Sequence, residues 1–238
     1  GGGEGAGEGA GGGRAEPRRR PLVAVLLPGL VRSYAHGAHW RRFFARYADA
    51  YDLRAFLHVW PIRGAVGNNF SQEADRCAEE PLDTERLARC YPDGAVIELA
   101  DLRLWVSEDA EGHDGRFYNQ WAMLQRCHEL MVRSLGAAAP DYVIRGRPDL
   151  RPSCIPRPLE ACGGGSPYLA LQDYLWGSDA YFYGDAATMA TICTLAQRYE
   201  EMTARLGHAS SEPMMEAHIK DQRLNVVHFS RCFSIDRS

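Results

Sequence analysis

The sequence predicts an α/β protein in which a mostly parallel, Rossmann-like sheet is covered by helices on both faces. Three observations support this fold class. Leu22–Leu27 is a continuous apolar run, as expected for a strand buried on both faces. Aromatic residues follow at helical spacing, and Phe56–Trp60 is typical of a second strand. A strand, a helix and a strand within about 40 residues form a βαβ unit, whose two strands are parallel.

The rest of the chain continues this alternation. Predicted strands lie at residues 22–27, 56–60, 95–99, 142–144, 168–171, 180–183 and 224–229. Predicted helices cover Trp40–Tyr47, Asp83–Tyr91, Phe117–Leu135, Asp185–Gly207 and a short stretch from Ser211. Asp83, Asp185 and Ser211 are the expected N-caps. Pro61, Gly136 and Gly207 are expected to end their elements.

The domain is expected to begin after a polar tail. Residues 1–20 are mainly Gly, Ala, Glu and Arg, without one large apolar side chain. Such a segment buries too little surface to offset the entropy lost on ordering, so we expect it to be disordered. Residues 21–238 show no internal repeat or linker, which predicts one domain. Because the sequence starts with Gly1, we expect a processed or truncated product and leave the compartment open between cytoplasm and secretory pathway.

Composition disfavours several classes of function. The 27 basic and 31 acidic side chains give a formal charge of −4, which argues against a general nucleic-acid binder. No apolar run approaches the roughly 18 residues of a membrane span. The seven cysteines are scattered, odd in number and never in C-x-x-C spacing. This pattern disfavours both a zinc site and a disulfide framework.

Charged residues follow two of the predicted strands. Ligands of open parallel sheets bind beyond the carboxyl ends of the strands, where Gly29 and Arg32 follow the first strand. Arg145, Arg147 and Asp149 follow the strand at 142–144. Guanidinium groups suit the oxygens of a diphosphate, as in a nucleotide-sugar, and a carboxylate can hold a divalent cation that bridges phosphates. The alternative is an internal Arg–Asp salt bridge that fixes the turn.

Two further carboxylates are candidates for acid–base chemistry. Asp179 precedes an aromatic strand and is placed to position a sugar hydroxyl or act as a base. The alternative for Asp179 is a bond to the turn at Gly177–Ser178. Glu212 lies near a predicted helix start, where the helix dipole stabilises carboxylates, and capping is its alternative role.

Six short motifs occur in a fixed order between Leu22 and Phe233. They are Leu-Pro-Gly-Leu-Val-Arg-Ser at 27–33, Phe-Leu-His-Val-Trp at 56–60, Phe-Tyr-Asn-Gln-Trp at 117–121, the segment 142–150 with Arg-Gly-Arg-Pro-Asp, Asp-Ala-Tyr-Phe-Tyr-Gly at 179–184, and Ser-Glu-Pro at 211–213. Together they resemble a loose group of microbial, algal and viral glycosyltransferase-like proteins with the nucleotide-sugar (GT-A) fold.

The resemblance implies an enzyme that moves a sugar from a nucleotide-diphosphate donor to a glycan or other hydroxyl acceptor. It implies that Gly29 and Arg32 hold the nucleotide end of the donor. Arg145 and Arg147 would neutralise the leaving diphosphate. Asp149 would ligate Mn²⁺ or Mg²⁺, or contact the donor ribose or sugar.

The role of acceptor base is open between Asp179 and Glu212. Three departures from the family pattern are visible: Pro28 replaces a small polar residue, the Pro–Glu order is inverted at Glu212-Pro213, and the Asp-x-Asp metal signature is missing. Metal dependence is therefore open. One alternative is a non-catalytic nucleotide- or glycan-binding domain with a degenerate GT-A fold, and another is a phosphate-ester hydrolase that uses the arginines.

Overall fold

The computed structural model describes residues 19–63, 80–92, 94–101, 115–155, 159, 168–172, 179–229 and 232–235. They form an α/β fold with a mostly parallel, mixed sheet flanked by helices, as predicted. The strands are β1 Leu22–Leu26, β2 Gly29–Val31, β3 Asp52–Arg63, β4 Glu80–Pro81, β5 Val96–Leu99, β6 Tyr142–Arg145, β7 Leu150–Pro152, β8 Tyr168–Gln172, β9 Phe182–Asp185, β10 Asn225–Phe229 and β11 Phe233–Ile235. The helices are α1 Gly37–Tyr47, α2 Thr84–Ala88, α3 Arg116–Leu135, α4 Ala186–Ile192, α5 Tyr199–Leu206 and α6 Ser211–Asp221.

The sheet reverses its strand order next to β1. On one side of β1 lie β3 and then β5, both parallel to it. On the other side lies β6, also parallel, followed by β9, β8 and β10. Strand β9 runs antiparallel to β6 and β8. The chain thus leaves β1 toward β3 and later returns to its other side at β6, which makes a topological switch point between β1 and β6.

Strand β1 is buried on both faces, as its apolar run predicts. Val23 and Val25 pack into a core shared with α1 and α2, whereas Ala24 and Leu26 pack into a second core shared with α3 to α6. Because side chains alternate across a strand, a strand covered on both sides needs apolar residues at every position.

Strand β3 is longer than predicted. Pro61 does not end it, and pairing continues to Arg63. The register of β2 against β3 shifts between Gly29 and Val31, next to this proline. A missing N–H is tolerated at such an irregularity, and the Pro61 carbonyl accepts from the amide of Leu82 at 2.8 Å.

The predicted helix from Asp185 to Gly207 is broken into α4, a 3₁₀ turn at Leu195–Arg198 and α5. Both predicted ends are confirmed, because Asp185 accepts from the amide of Thr188 at 2.7 Å and Gly207 is left-handed with φ of 73°. The break follows Thr194, whose hydroxyl donates to the Thr191 carbonyl at 2.7 Å. Such side-chain bonds compete with the helical ladder.

One disulfide corrects the expectation from the cysteine pattern. Cys154 and Cys232 are bonded, with their Cα atoms 5.3 Å apart and 78 positions apart in sequence. They lie beside the antiparallel pair of β7 and β11. Cysteines this far apart meet only through the tertiary fold, so spacing along the chain carries no signal of the bond. Within the described ranges, no helix is long and apolar enough to cross a membrane.

Candidate functional site

Strand β6 leads directly into the turn that carries the candidate site. The Gly146 amide donates to the Leu26 carbonyl at 2.9 Å, which ties the turn to the carboxyl end of β1. A Cβ on Gly146 would lie 2.5 Å from the Trp40 ring, so only glycine fits there. The Trp40 indole N–H donates to the Arg147 carbonyl at 3.1 Å. Helix α1 therefore supports the turn, a role that the sequence pattern of Trp40, typical of a core residue, did not indicate.

Two arginines from distant segments hold the Asp149 carboxylate. Arg147 donates to both of its oxygens, from Nε at 2.9 Å and from Nη2 at 2.7 Å. Arg32 Nε lies 3.0 Å from Oδ2. The Asp149 side chain is 2% exposed, whereas those of Arg32 and Arg147 keep 21% and 32%. The salt-bridge alternative for this turn is therefore present, and each arginine still presents part of its guanidinium to solvent.

The Asp149 carboxylate keeps Arg147 firmly charged. Burial lowers the pKa of Arg147, but the charge and hydrogen bonds of Asp149 outweigh burial and raise the pKa above its ordinary value. Asp149 therefore organises the two arginines and neutralises one of their two charges.

Arg145 is in a different environment from its two neighbours. It is 1% exposed, and its guanidinium lies over the Phe182 ring, 5.6 Å from the centroid. Among the described residues, nothing forms a hydrogen bond with its Nε or Nη1. Burial lowers the pKa of Arg145 to about 10, and the charge of Asp179 is the largest opposing influence. The side chain is thus a charged, buried group with two nitrogens that lack a hydrogen-bond partner among the described residues, which is unfavourable unless an anion compensates.

Asp179 lies at the same edge of the sheet as the arginines. Strand β9 is antiparallel to β6, and Phe182 pairs with Arg145, so the residues that precede β9 meet the carboxyl end of β6. Asp179 is 9% exposed. Its Oδ2 accepts a short hydrogen bond from Gln120 Nε2 on α3. The predicted turn partners Gly177 and Ser178 lie outside the described residues.

Ser211, at the start of α6, contacts the same Gln120 side chain that donates to Asp179. Gln120 Nε2 also donates to the Ser211 hydroxyl at 3.0 Å. The prediction that Ser211 is the N-cap of α6 is wrong, because Ser210 occupies that position and Ser211 is the first helical residue. Its hydroxyl is occupied by Gln120 rather than by the helix end. Glu212 follows in the first turn and is partly buried.

Gly29 opens β2, three residues before Arg32. Its φ of +115° lies in a region that residues with a side chain rarely adopt. A Cβ there would have no atom within 4 Å, so glycine is required by the backbone conformation and not by crowding. The approach of a ligand to the backbone at this position stays a prediction.

The surroundings of Asp149 do not fit a divalent cation. Both carboxylate oxygens already accept hydrogen bonds or ion pairs from arginine. Three arginines against two carboxylates, Asp149 and Asp179, leave a net charge of +1, which repels a cation and attracts an anion. In the part of the chain that the structure describes, no group of three or more His, Cys, Asp or Glu is placed to hold a metal ion. The expected Mn²⁺ or Mg²⁺ stays a prediction.

A cleft of about 740 Å³ lies between β3, β5 and α3. His58 Nδ1 lies 3.1 Å from Glu98, which also pairs with Arg133 at 2.5 Å. Burial lowers the pKa of His58 despite the opposing charge of Glu98, so its imidazole is neutral at pH 7. The charged residues in the cleft wall balance, since they are Glu98, Asp101, Arg126 and Arg133.

This neutral cleft and the arginine cluster share no described wall residue. The three arginines, Asp149 and Asp179 are not among the described residues that line the cleft. Trp60 in the cleft wall belongs to an apolar cluster that Leu30 packs against. Asn119 in the wall precedes Gln120 on α3.

Comparison with known protein families finds no matching family model, and no curated protein matches the chain. The fold and the site thus define the protein only as a class. It is an α/β protein with a cluster of three arginines at the switch point of a mostly parallel sheet.

Proposed function

We propose that this protein is a glycosyltransferase with a GT-A-like fold, which moves a sugar from a nucleotide-diphosphate donor to a hydroxyl acceptor. The observation that carries the proposal is the buried guanidinium of Arg145 near Arg147, with Nε and Nη1 that lack a hydrogen-bond partner among the described residues. A buried cation with unsatisfied donors favours an anionic ligand, and the location at the switch point is where α/β sheets bind nucleotides.

The proposed transfer breaks one bond and forms another at the anomeric carbon of the donor sugar. The acceptor oxygen attacks this carbon, and the bond to the diphosphate oxygen breaks with its electron pair leaving on the diphosphate. The acceptor proton passes to a carboxylate. Negative charge grows on the diphosphate as the bond breaks, and preorganised guanidinium groups stabilise it. Because Arg32 and Arg147 are partly exposed, we assign to them the direct contacts with the diphosphate. The buried Arg145 adds positive charge behind them.

Asp179 is the better supported of the two candidate bases. It lies close enough to Arg145 and Arg147 to influence the charge of both. A base that close to the leaving-group site is placed to take the proton of an acceptor that attacks there. One observation favours Glu212 as the base: its neighbour Ser211 accepts a hydrogen bond from the same Gln120 amide that donates to Asp179.

The uncharged parts of the donor fit the neutral cleft. Its volume of about 740 Å³ lies in the usual range of small-ligand sites. Amide side chains such as Asn119 and Gln125 offer both donors and acceptors to hydroxyls or to a base. We assign the nucleoside or the sugar to this cleft without deciding between them.

A non-catalytic binding domain is the second candidate, and the closed pairing of Asp149 with two arginines favours it. A carboxylate held in this way supplies neither a metal site nor a base. Such a domain would still bind nucleoside diphosphates through the arginines. It would not release sugar from a donor.

Isothermal titration calorimetry with UDP and GDP, with EDTA or with Mn²⁺, followed by donor-hydrolysis and transfer assays, separates these functions. Binding with sugar release or transfer supports the transferase, binding without turnover supports the binding domain, and release of inorganic phosphate supports a hydrolase.

Arg147→Ala is expected to reduce transfer about 100-fold or more, because one electrostatic partner of a transition state contributes about 3 kcal/mol. The matched control is Arg54→Ala, an exposed arginine on β3 that pairs with Asp52 outside the cleft wall. Unchanged turnover in Arg147→Ala would count against the proposal.

A further inference from the structure

One amide group links three elements around the candidate base. Gln120 lies on α3, Asp179 precedes β9, and Ser211 begins α6. Gln120 Nε2 donates one hydrogen to Asp179 Oδ2 and the other to the Ser211 hydroxyl. Because Asp179 is nearly buried and Ser211 is 1% exposed, the geometry of the three groups is closely constrained.

We propose that Gln120 is the positioning residue for the base, and that this role assigns the base to Asp179 and not to Glu212. The inference rests on the proposed function. With Oδ2 held by Gln120, no donor among the described residues reaches Oδ1. Oδ1 is therefore the atom that receives the acceptor proton. The carboxylate keeps a fixed direction because a side chain held at one oxygen loses its freedom to rotate.

Charged groups from several elements surround Asp179. The cations Arg145 on β6 and Arg147 in the turn both interact with its charge. Glu212 on α6 is the opposing charge on the third element. An amide at position 120 adds no charge of its own, so it fixes the base without becoming a second titrating group.

A purely structural role for Gln120 is the competing explanation, and the pH dependence of catalysis separates the two. In Gln120→Glu a second carboxylate lies within hydrogen-bond distance of Asp179, and two carboxylates in contact share a proton. The acidic limb of the kcat/KM profile should move up by about one pH unit or more. In Gln120→Leu, kcat should fall about 10- to 100-fold while the KM of the donor stays near the wild-type value.

Ser211→Ala is the matched control. It removes the other acceptor of the same amide and leaves the bond to Asp179 in place. The acidic limb of its kcat/KM profile should coincide with that of the wild type. If all three variants lose stability and share the wild-type profile, Gln120 is structural and the inference is wrong.

A measurement that needs no turnover keeps this test separate from that of the proposed function. Carbon-detected NMR follows the side-chain carboxyl carbon of Asp179 through an acid titration. Its midpoint should rise by about one pH unit in Gln120→Glu, for the reason that moves the kinetic limb. Equal midpoints in the variant and the wild type would overturn the inference, even if nucleotide binding and transfer are found. Failure of the wild type to bind UDP or GDP would instead overturn the proposed function.

Discussion

Replacing Arg145 by methionine should make the folded protein more stable and weaken its binding of diphosphates. Methionine has a similar length and fills an apolar pocket well. The guanidinium that it replaces is buried over the Phe182 ring, and no described residue forms a hydrogen bond with its Nε or Nη1. A residue kept for ligand binding is expected to destabilise the unliganded protein, because its charge awaits a partner.

The size of the effect follows from the pKa. Burial lowers the pKa of Arg145 to about 10, more than two units below the ordinary value for arginine. Each unit corresponds to about 1.4 kcal/mol, so charge burial destabilises the fold by about 3 kcal/mol. Solvent screening is small because the residue is 1% exposed. The pKa of about 10 already contains the attraction to Asp179, so this value is a net effect, and we expect Arg145→Met to be more stable by about 1 to 3 kcal/mol.

Urea unfolding with and without pyrophosphate checks both halves of this prediction. Ligand at 100 times its Kd should stabilise the wild type by about 2.7 kcal/mol. The variant should show a clearly smaller increase. Arg54→Met is the matched control, because the exposed Arg54 side chain on β3 should change stability by only a few tenths of a kcal/mol. A variant that is less stable than the wild type and is stabilised by pyrophosphate as strongly as the wild type would refute the reasoning.

Two further predictions concern stability. Reduction of the Cys154–Cys232 disulfide, or replacement of both cysteines by serine, should lower the free energy of unfolding by about 4 kcal/mol, because the bond closes a loop whose ends are 78 positions apart. Urea titrations with and without dithiothreitol measure it, and coincident curves would contradict it. Burial lowers the pKa of His218, so as the pH falls below about 6.5 the unfolded chain takes up a proton before the folded protein does, and stability is lost there. His218→Gln should flatten the stability profile between pH 7 and 5, and a profile as steep as that of the wild type would argue against the assignment.

The sequence predicts the elements that depend on local chemistry. The apolar run of β1 indicates burial on both faces, and Asp83 and Asp185 cap helices where their position suggests. The rule that ligands bind at strand ends also selects Arg32 and Asp149, which the structure places 3.0 Å apart. That distance depends on the pairing of β1 with β6, which no local pattern encodes.

The supporting contacts of the site escape sequence analysis for a related reason. Trp40 has the spacing of a core residue, and nothing local to it shows that its indole contacts Gly146 and donates to the Arg147 carbonyl. Gln120 stands in a motif, but its partners Asp179 and Ser211 come from two other elements. Polar contacts between distant segments require the tertiary fold.

Asp149 is compatible with both interpretations of its turn, an internal salt bridge and a ligand-binding site. As an internal salt bridge it holds Arg32 and Arg147 at fixed positions. As part of a binding site it leaves the outer N–H groups of these arginines for a ligand and keeps the net charge positive. Pairing and binding are therefore compatible, because Asp149 and Asp179 together cannot neutralise three guanidinium groups.

The central claim is that this arginine cluster binds a diphosphate without a metal ion. Calorimetric titration of UDP, GDP and pyrophosphate in EDTA, into the wild type and into Arg147→Gln, tests it most directly. The account predicts binding to the wild type and an affinity about 10- to 100-fold lower in the variant, since a charge-assisted hydrogen bond contributes about 1.5 to 3 kcal/mol. Absence of binding by all three ligands, or equal affinities in the two proteins, would contradict it.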